Sequence, residues 1–160
     1  MRASACGWVS RSIEEALDLG KRSAEITHNH LEGIKGAQCV AAAIFLARTG
    51  ASKEDIRTYI VDTFGYDLSR DCDDIRPDYY FDVSCQGTLP AALAAFFDSY
   101  DYESAVRLAV SLGGDSDTIA AITGSIAEAF YGEIPEKIVS EALQRIPDEF
   151  WPIINRIKMM

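Results

Sequence analysis

The stretch "SLGGDSDTIAAITGSIAEAFYG", residues 111–132, carries the pattern from which the fold follows. Ile119, Ile122, Ile126 and Phe130 recur three to four residues apart, the spacing of one helix face. Ala120, Ala121, Gly124, Ser125 and Ala127 are small, so neighbouring backbones can come close. A helix of this kind is gripped by other helices, and a tightly held helix fixes whatever stands at its tip. At this tip stand Gly113, Gly114, Asp115, Ser116, Asp117 and Thr118.

The helical period extends outward on both sides. Upstream, Asp101 caps a helix in which Tyr102, Ala105, Val106, Ala109 and Val110 share a face. Before it, Thr88 caps a helix that runs through Phe97. Residues 66–86 break the pattern: they are polar and aromatic without steady period, with a weak strand signal at Tyr79–Val83. An ordered loop of about 20 residues is usually functional. Ser52 with Asp55 begins a helix whose stripe is Ile56, Tyr59, Ile60 and Phe64. Residues 31–48 predict a helix apolar on nearly all sides, ended by Gly50 and covered all round. Ser12 with Glu15 fits a capping box, and Ile13, Ala16, Leu17, Gly20 and Ala24 then share a face. Gly20 costs about 1 kcal/mol relative to Ala, so close packing is expected to compensate there. Downstream, Pro135 opens a helix with Ile138, Val139, Ala142, Leu143 and Ile146 inward, and residues 148–157 predict a last short one. The fold class is all-α, a compact multi-helix domain spanning 1–160.

Composition narrows the function. A chain of 160 residues buries about two thirds of its unfolded surface, so it needs no disulfide or metal to fold. The net charge of −10 argues against nucleic acid, whose phosphates need clustered Lys and Arg. Cys6, Cys39, Cys72 and Cys85 have no metal-ligand spacing and read as free thiols of a reducing, cytoplasmic compartment. Met1–Ser12 does not resemble a signal peptide, and the longest apolar stretch, Val40–Ala47, falls far short of a membrane span. No membrane partner is expected.

The acids at the helix tip admit two readings. Asp favours the N-cap and complements the helix dipole, which accounts for a purely structural pair. Against this, Gly113 and Gly114 leave room for an approaching group, and like charges at short range need a proton or cation between them. Asp115, Asp117 and the Thr118 hydroxyl supply three hard oxygens, which suit Mg²⁺, Mn²⁺ or Ca²⁺ rather than Zn²⁺. His28 and His30 before a helix read, by themselves, as a cap or surface feature; without a carboxylate cluster they make a poor Zn²⁺ site.

The segment "GGDSDTIAAITGSIAEAFYG" resembles the metal motif of the ADP-ribosylglycohydrolases, including the dinitrogenase-reductase-activating type. "THNHLEGIKGAQCVAAAIFLA", Thr27–Ala47, is similar to that family's histidine motif, and "FDVSCQGTLPAALAAFF", Phe81–Phe97, is a third point of likeness. The opening "MRASACGWV" looks like the end of a glycine-rich family motif that would begin before Met1.

The resemblance implies an all-α fold, a two-metal Mg²⁺ or Mn²⁺ centre and hydrolysis of ADP-ribose from protein side chains or related small molecules. It implies Asp115, Asp117 and Thr118 as metal ligands, Asp115 and Asp117 as catalytic residues, and His28, Val83 and Ser116 as substrate-binding residues. His30 is expected to order the turn into the next helix, and Leu31 stands where the family often has proline. Cys85 lies near the implied cleft with no base to activate it. Tyr79, Tyr80 and Phe81 could stack on an adenine or close their loop onto the core; Trp8 and Trp151 read as core or interface. The family's N-terminal T-D-D motif has no counterpart, since Asp73-Asp74 lacks the threonine. The resemblance therefore implies a C-terminal portion: a truncated product, a fragment or one part of a split enzyme, with little activity alone. Self-association, or a chain supplying the N-terminal half, is the expected partner. The rival expectation is a non-catalytic helical domain with a weak cation half-site.

Overall fold

The computed structural model describes residues 2–158; Met1, the first residue of the opening stretch, and residues 159–160 of the expected domain lie outside them. Ten α-helices and one 3-10 turn make up the described residues. In order they are α1 (Ser4–Val9), α2 (Ile13–Glu25), α3 (Leu31–Arg48), α4 (Lys53–Phe64), α5 (Cys72–Ile75), α6 (Cys85–Asp98), α7 (Tyr102–Ser111), α8 (Ser116–Tyr131), α9 (Glu136–Leu143), the 3-10 turn Asp148–Phe150 and α10 (Trp151–Lys158). No strand occurs among the described residues, so the Tyr79–Val83 signal is corrected: that segment is irregular and has no ladder partner.

α3 and α8 are the central elements. α3 packs against α1, α2, α4, α6 and α8, and α8 packs against α6 and α7 as well. The run Cys39–Ile44 is fully enclosed because its alanines let helices approach on every side. Ile44, Leu93, Phe96, Ile119 and Ile126 meet at the centre with no exposure. Each such side chain contributes about 1.5–3 kcal/mol by leaving water. The small-residue expectation for α2 holds: a Cβ on Gly20 would stand 3.0 Å from the Ala37 carbonyl oxygen of α3.

Caps and boundaries differ in part from expectation. The Ser52–Asp55 box forms in both directions, as does a box between Asp101 and Ser104. The Ser12 box forms only halfway: its hydroxyl accepts from the Glu15 amide, but the Glu15 carboxylate takes the Arg11 amide instead, at 2.7 Å. α6 begins one turn earlier than Thr88, because Ser84 Oγ accepts from the Gly87 amide at 3.1 Å and supplies the cap. Thr88 is buried inside the helix, its hydroxyl donating to the Asp82 carbonyl at 3.0 Å. α1 was not legible as a helix, since six residues show too little period.

The segment 66–86 is tied down rather than loose. Tyr66, Leu68, Cys72 and Ile75 are buried, and the Cys72 amide donates to Asp98 Oδ2 at 2.7 Å. The three aromatics separate: Tyr79 packs inward, whereas Tyr80 and Phe81 are 72% and 65% exposed. At the C-terminal end of α6, Lys53 Nζ donates to the Phe97 and Ser99 carbonyls and lies 5.1 Å from the Phe96 ring centroid. α9 corrects another expectation. None of its residues is buried; Ile138, Val139 and Leu143 are half-buried and Ala142 is exposed. No helix among the described residues is long and apolar enough to cross a membrane.

Candidate functional site

The site starts from the turn into α8. Gly113 and Gly114 are both left-handed, with φ of 77° and 60°. Two such residues in succession swing the chain so that Asp115 arrives at the helix tip outside helical geometry, at φ −80° and ψ 58°. Gly114 is also required by contact: a Cβ there would stand 2.7 Å from the Tyr79 ring. Tyr79 thereby braces the turn, and its buried hydroxyl has no hydrogen-bond partner.

Asp115 occupies the N-cap position but makes no side-chain cap bond. Asp115 beside it, and then the Thr118 amide that donates to Asp117 Oδ1 at 2.9 Å, hold the Asp117 carboxyl below the ordinary value. A cap aspartate that leaves the helix amides alone is unusual by simple capping chemistry.

A cavity of about 460 Å³ opens beside this tip, within the range of small-molecule sites. Its wall includes His28, Val83, Asp115 and Thr118. Of the sequence-predicted residues, Ser116 and Asp117 do not line it; Ser116 is half-buried and Asp117 is exposed on the rim. The cavity also takes in Arg2, Cys85 and Thr88. Arg2 was not foreseen, because a single arginine in the opening segment carries no periodic or motif signal. Burial pushes the Cys85 thiol up, and a protonated thiol is a poor nucleophile.

The two histidines have different surroundings. His30 caps α3, its Nδ1 accepting from the Glu32 amide at 3.2 Å. His28 Nδ1 lies 2.7 Å from the Thr27 hydroxyl, which accepts from the Arg2 guanidinium. Arginine can only donate, so the Thr27 oxygen accepts from Arg2 and keeps one lone pair and its own proton for the contact with His28 Nδ1. The imidazole proton stands on Nε2 when Thr27 donates to Nδ1 and on Nδ1 when Thr27 accepts.

The three metal ligands expected from the sequence, Asp115, Asp117 and Thr118, all stand at the tip of α8, Asp115 and Thr118 in the cavity wall and Asp117 outside it. Among the described residues, no group of three or more His, Cys, Asp or Glu side chains is placed to hold a metal. A six-coordinate ion held by these oxygens would take its remaining ligands from water, substrate or other polypeptide.

Comparisons with known proteins agree with this architecture. A family model described as ADP-ribosylglycohydrolase matches residues 1–159. The chain is 32% identical over 143 residues to "ADP-ribosylarginine hydrolase Tri1" of Pseudomonas putida (strain GB-1), covering 79% of this chain and 37% of that protein. It is 30% identical over 129 residues to an uncharacterised protein of Archaeoglobus fulgidus, covering 72% of this chain and 42% of that one. Among solved structures, an "ADP-ribosylglycohydrolase-related protein complex" matches with a TM-score of 0.61 and 34% identity, over 76% of this chain and 45% of that one. The chain spans less than half the length of each of these relatives.

Proposed function

The chain belongs to the ADP-ribosylglycohydrolase family, and from that premise we propose that it forms the C-terminal portion of a hydrolase of ADP-ribosyl bonds, of the dinitrogenase-reductase-activating type. The substrate is an ADP-ribosylated side chain, with arginine first to test because a relative bears the name ADP-ribosylarginine hydrolase. Related small molecules are the alternative substrates. The observation that carries the reading is one cavity whose wall contains His28, Val83, Asp115 and Thr118 together.

In this reading the cavity binds the ADP-ribose unit. His28 donates from Nε2 to a polar group of the ligand, its orientation held by Thr27. Val83 supplies apolar contact, and Ser116 a hydroxyl at the edge. Asp115, Asp117 and Thr118 would hold Mg²⁺ or Mn²⁺, the family's two-metal centre needing ligands beyond these. A bound divalent cation supplies charge stabilisation and orients water and ribose hydroxyls. The glycosidic bond breaks with oxocarbenium character, and the two carboxylates stabilise the positive charge that develops on the ribose. With half the ligand shell present, the isolated chain is expected to release little or no ADP-ribose.

A titration of the chain with ADP-ribose in the presence of Mg²⁺, followed by ligand-observed NMR, tests the reading. Saturable binding that His28→Ala weakens at least about tenfold is expected, since a lost hydrogen bond to a buried ligand group is of that order. Absence of binding at millimolar ADP-ribose would contradict it. The rival reading, a non-catalytic helical domain, draws support from the local Thr118 amide contact to Asp117 and from the exposed position of that carboxylate. It predicts no ADP-ribose binding at all.

A further inference from the structure

A second cavity, of about 240 Å³, shares the tip of α6 with the first. Cys85, Thr88 and Leu89 line the first cavity from one face of that helix; Gln86, Gly87, Pro90 and Ala91 line the second from the other. The chain before the helix divides in the same way, Asp82 facing the second cavity and Val83 the first. Tyr79 makes a further link: it lines the second cavity, and its ring packs on Gly114, next to Asp115 in the wall of the first. A hollow of this size has room for one side chain and not for a nucleotide. Its apolar lining comes from Ile75, Pro90 and Ala91, and its charge from Asp67, Asp78, Asp82 and Arg70. Arg70 is already paired, its guanidinium 3.6 Å from the Asp78 carboxylate. Asp67 and Asp82 have no cationic partner among the described residues. The bonds they accept come from neutral groups, the Ser69 amide at 3.0 Å and the Ser84 amide at 2.7 Å, which leave the charge uncancelled. Asp82 is also fixed in place, because its Oδ2 fills the space that Gly87 leaves open: a Cβ there would stand 2.0 Å from it. Tyr80, 72% exposed, brings an aromatic ring to the same wall.

Carboxylates alone on a surface say little. An apolar lining, an exposed ring and two uncompensated carboxylates round one hollow together suit an aliphatic stem with a positive head, which is the form of a lysine or arginine side chain. We propose that the second cavity receives a basic side chain of the modified protein, a few residues along from the one that carries ADP-ribose. The proposal rests on the hydrolase reading of the first cavity and deepens it by naming what flanks the modified residue in the substrate. Nearness supports this occupant, since Asp82 and Val83 are consecutive residues and a peptide seated at one cavity reaches the other within a few positions. Charge supports it as well, because a chain of −10 draws in basic segments. Arginine is the preferred occupant: its planar fork pairs with carboxylates and stacks on rings, whereas lysine presents a point charge.

The test titrates the 160-residue chain with three capped tripeptides, glycine on either side of arginine, lysine or citrulline, and follows the backbone amides by ¹H–¹⁵N NMR. Citrulline keeps the shape of arginine without its charge. Saturable shifts of the Asp82, Gln86 and Gly87 amides are expected with the arginine peptide at millimolar concentration, with weaker binding of lysine and at least tenfold weaker binding of citrulline. Asp67→Asn and Asp82→Asn are each expected to weaken the arginine peptide at least about threefold, the scale of an exposed ion pair. The two variants stand on separate segments, and an unchanged far-ultraviolet signal in both excludes loss of the fold as the cause. Equal binding of the citrulline and arginine peptides, shifts confined to the first cavity, full affinity in both variants, or no shift at millimolar peptide would each overturn the proposal. Failure of ADP-ribose to bind while the arginine peptide behaves as described would count against the hydrolase reading alone. Failure of the peptide while ADP-ribose binds would remove the second site alone.

Discussion

At the scale of single residues, the account turns on where three protons and two carboxylates sit. The Thr27 hydroxyl stands between Arg2 and His28, and the proposed ligand contact from His28 Nε2 requires Thr27 to donate to Nδ1. The ¹⁵N chemical shifts of His28 are therefore expected to report the Nε2–H tautomer, and Thr27→Val to mix the tautomers while the helical far-ultraviolet signal stays unchanged. A pure Nδ1–H signature in the unaltered chain would refute this arrangement. Asp117 gives a second expectation. Its folded value lies below the ordinary 3.8, with the Asp115 hydrogen bond as the largest cause. A depressed carboxylate favours the folded chain above its unfolded value, and that contribution disappears as pH falls through the folded one. Carboxyl NMR of the metal-free chain should place the Asp117 midpoint below 3.8, and Asp115→Ala should move it upward. A midpoint at or above 3.8 would contradict the influence of Asp115 and the Thr118 amide on this carboxyl. The sequence made the acids and the Gly-Gly turn visible, because residue type and spacing alone set them. It could not separate Asp115 in the cavity wall from Asp117 on the rim, since that depends on how the helix tip is rotated against its neighbours.

At the scale of elements, periodicity was the reliable guide and boundaries were not. α2, α3, α4, α7 and α8 begin at or next to the positions their caps and stripes imply, because period and cap reinforce each other there. α6 was placed late because Ser84 and Thr88 are both plausible caps, and only the observed Ser84–Gly87 contact decides between them. α1 escaped notice, and its importance lies in one close contact. A Cβ on Gly7 would stand 2.5 Å from the Ala41 carbonyl oxygen and 2.7 Å from Ile44 Cβ, in the wall of α3. Gly7→Ala is thus expected to destabilise the chain by about 1–3 kcal/mol, overriding the better helix propensity of alanine. Thermal unfolding followed by circular dichroism should show Tm lower by several degrees. An unchanged or higher Tm would mean that α1 does not pack on α3 this closely.

At the scale of the whole molecule, the first statement to test is that the core is enclosed. The four thiols test the first statement. Cys39 and Cys72 are buried; burial raises both, Cys72 to about 12, whereas Cys6 and Cys85 are half-buried. A thiol reagent should modify Cys6 and Cys85 in the native chain and reach Cys39 and Cys72 only on unfolding. Rapid native labelling of Cys39 would show that α3 is not enclosed. The all-helical class was legible because helical period runs through most of the chain. The exposure of Leu31 and Val83 was not, since it depends on which neighbours the fold packs against them. The central claim, that Asp115, Asp117 and Thr118 gather their oxygens for a hard divalent cation, is tested most directly by calorimetric titration of the chain with Mn²⁺ and Mg²⁺. The account predicts a saturable isotherm for the unaltered chain and at least about tenfold weaker binding for Asp117→Asn, since even outer-shell partners of metal ligands are worth that much. No heat at millimolar metal, or identical isotherms for both chains, would contradict it.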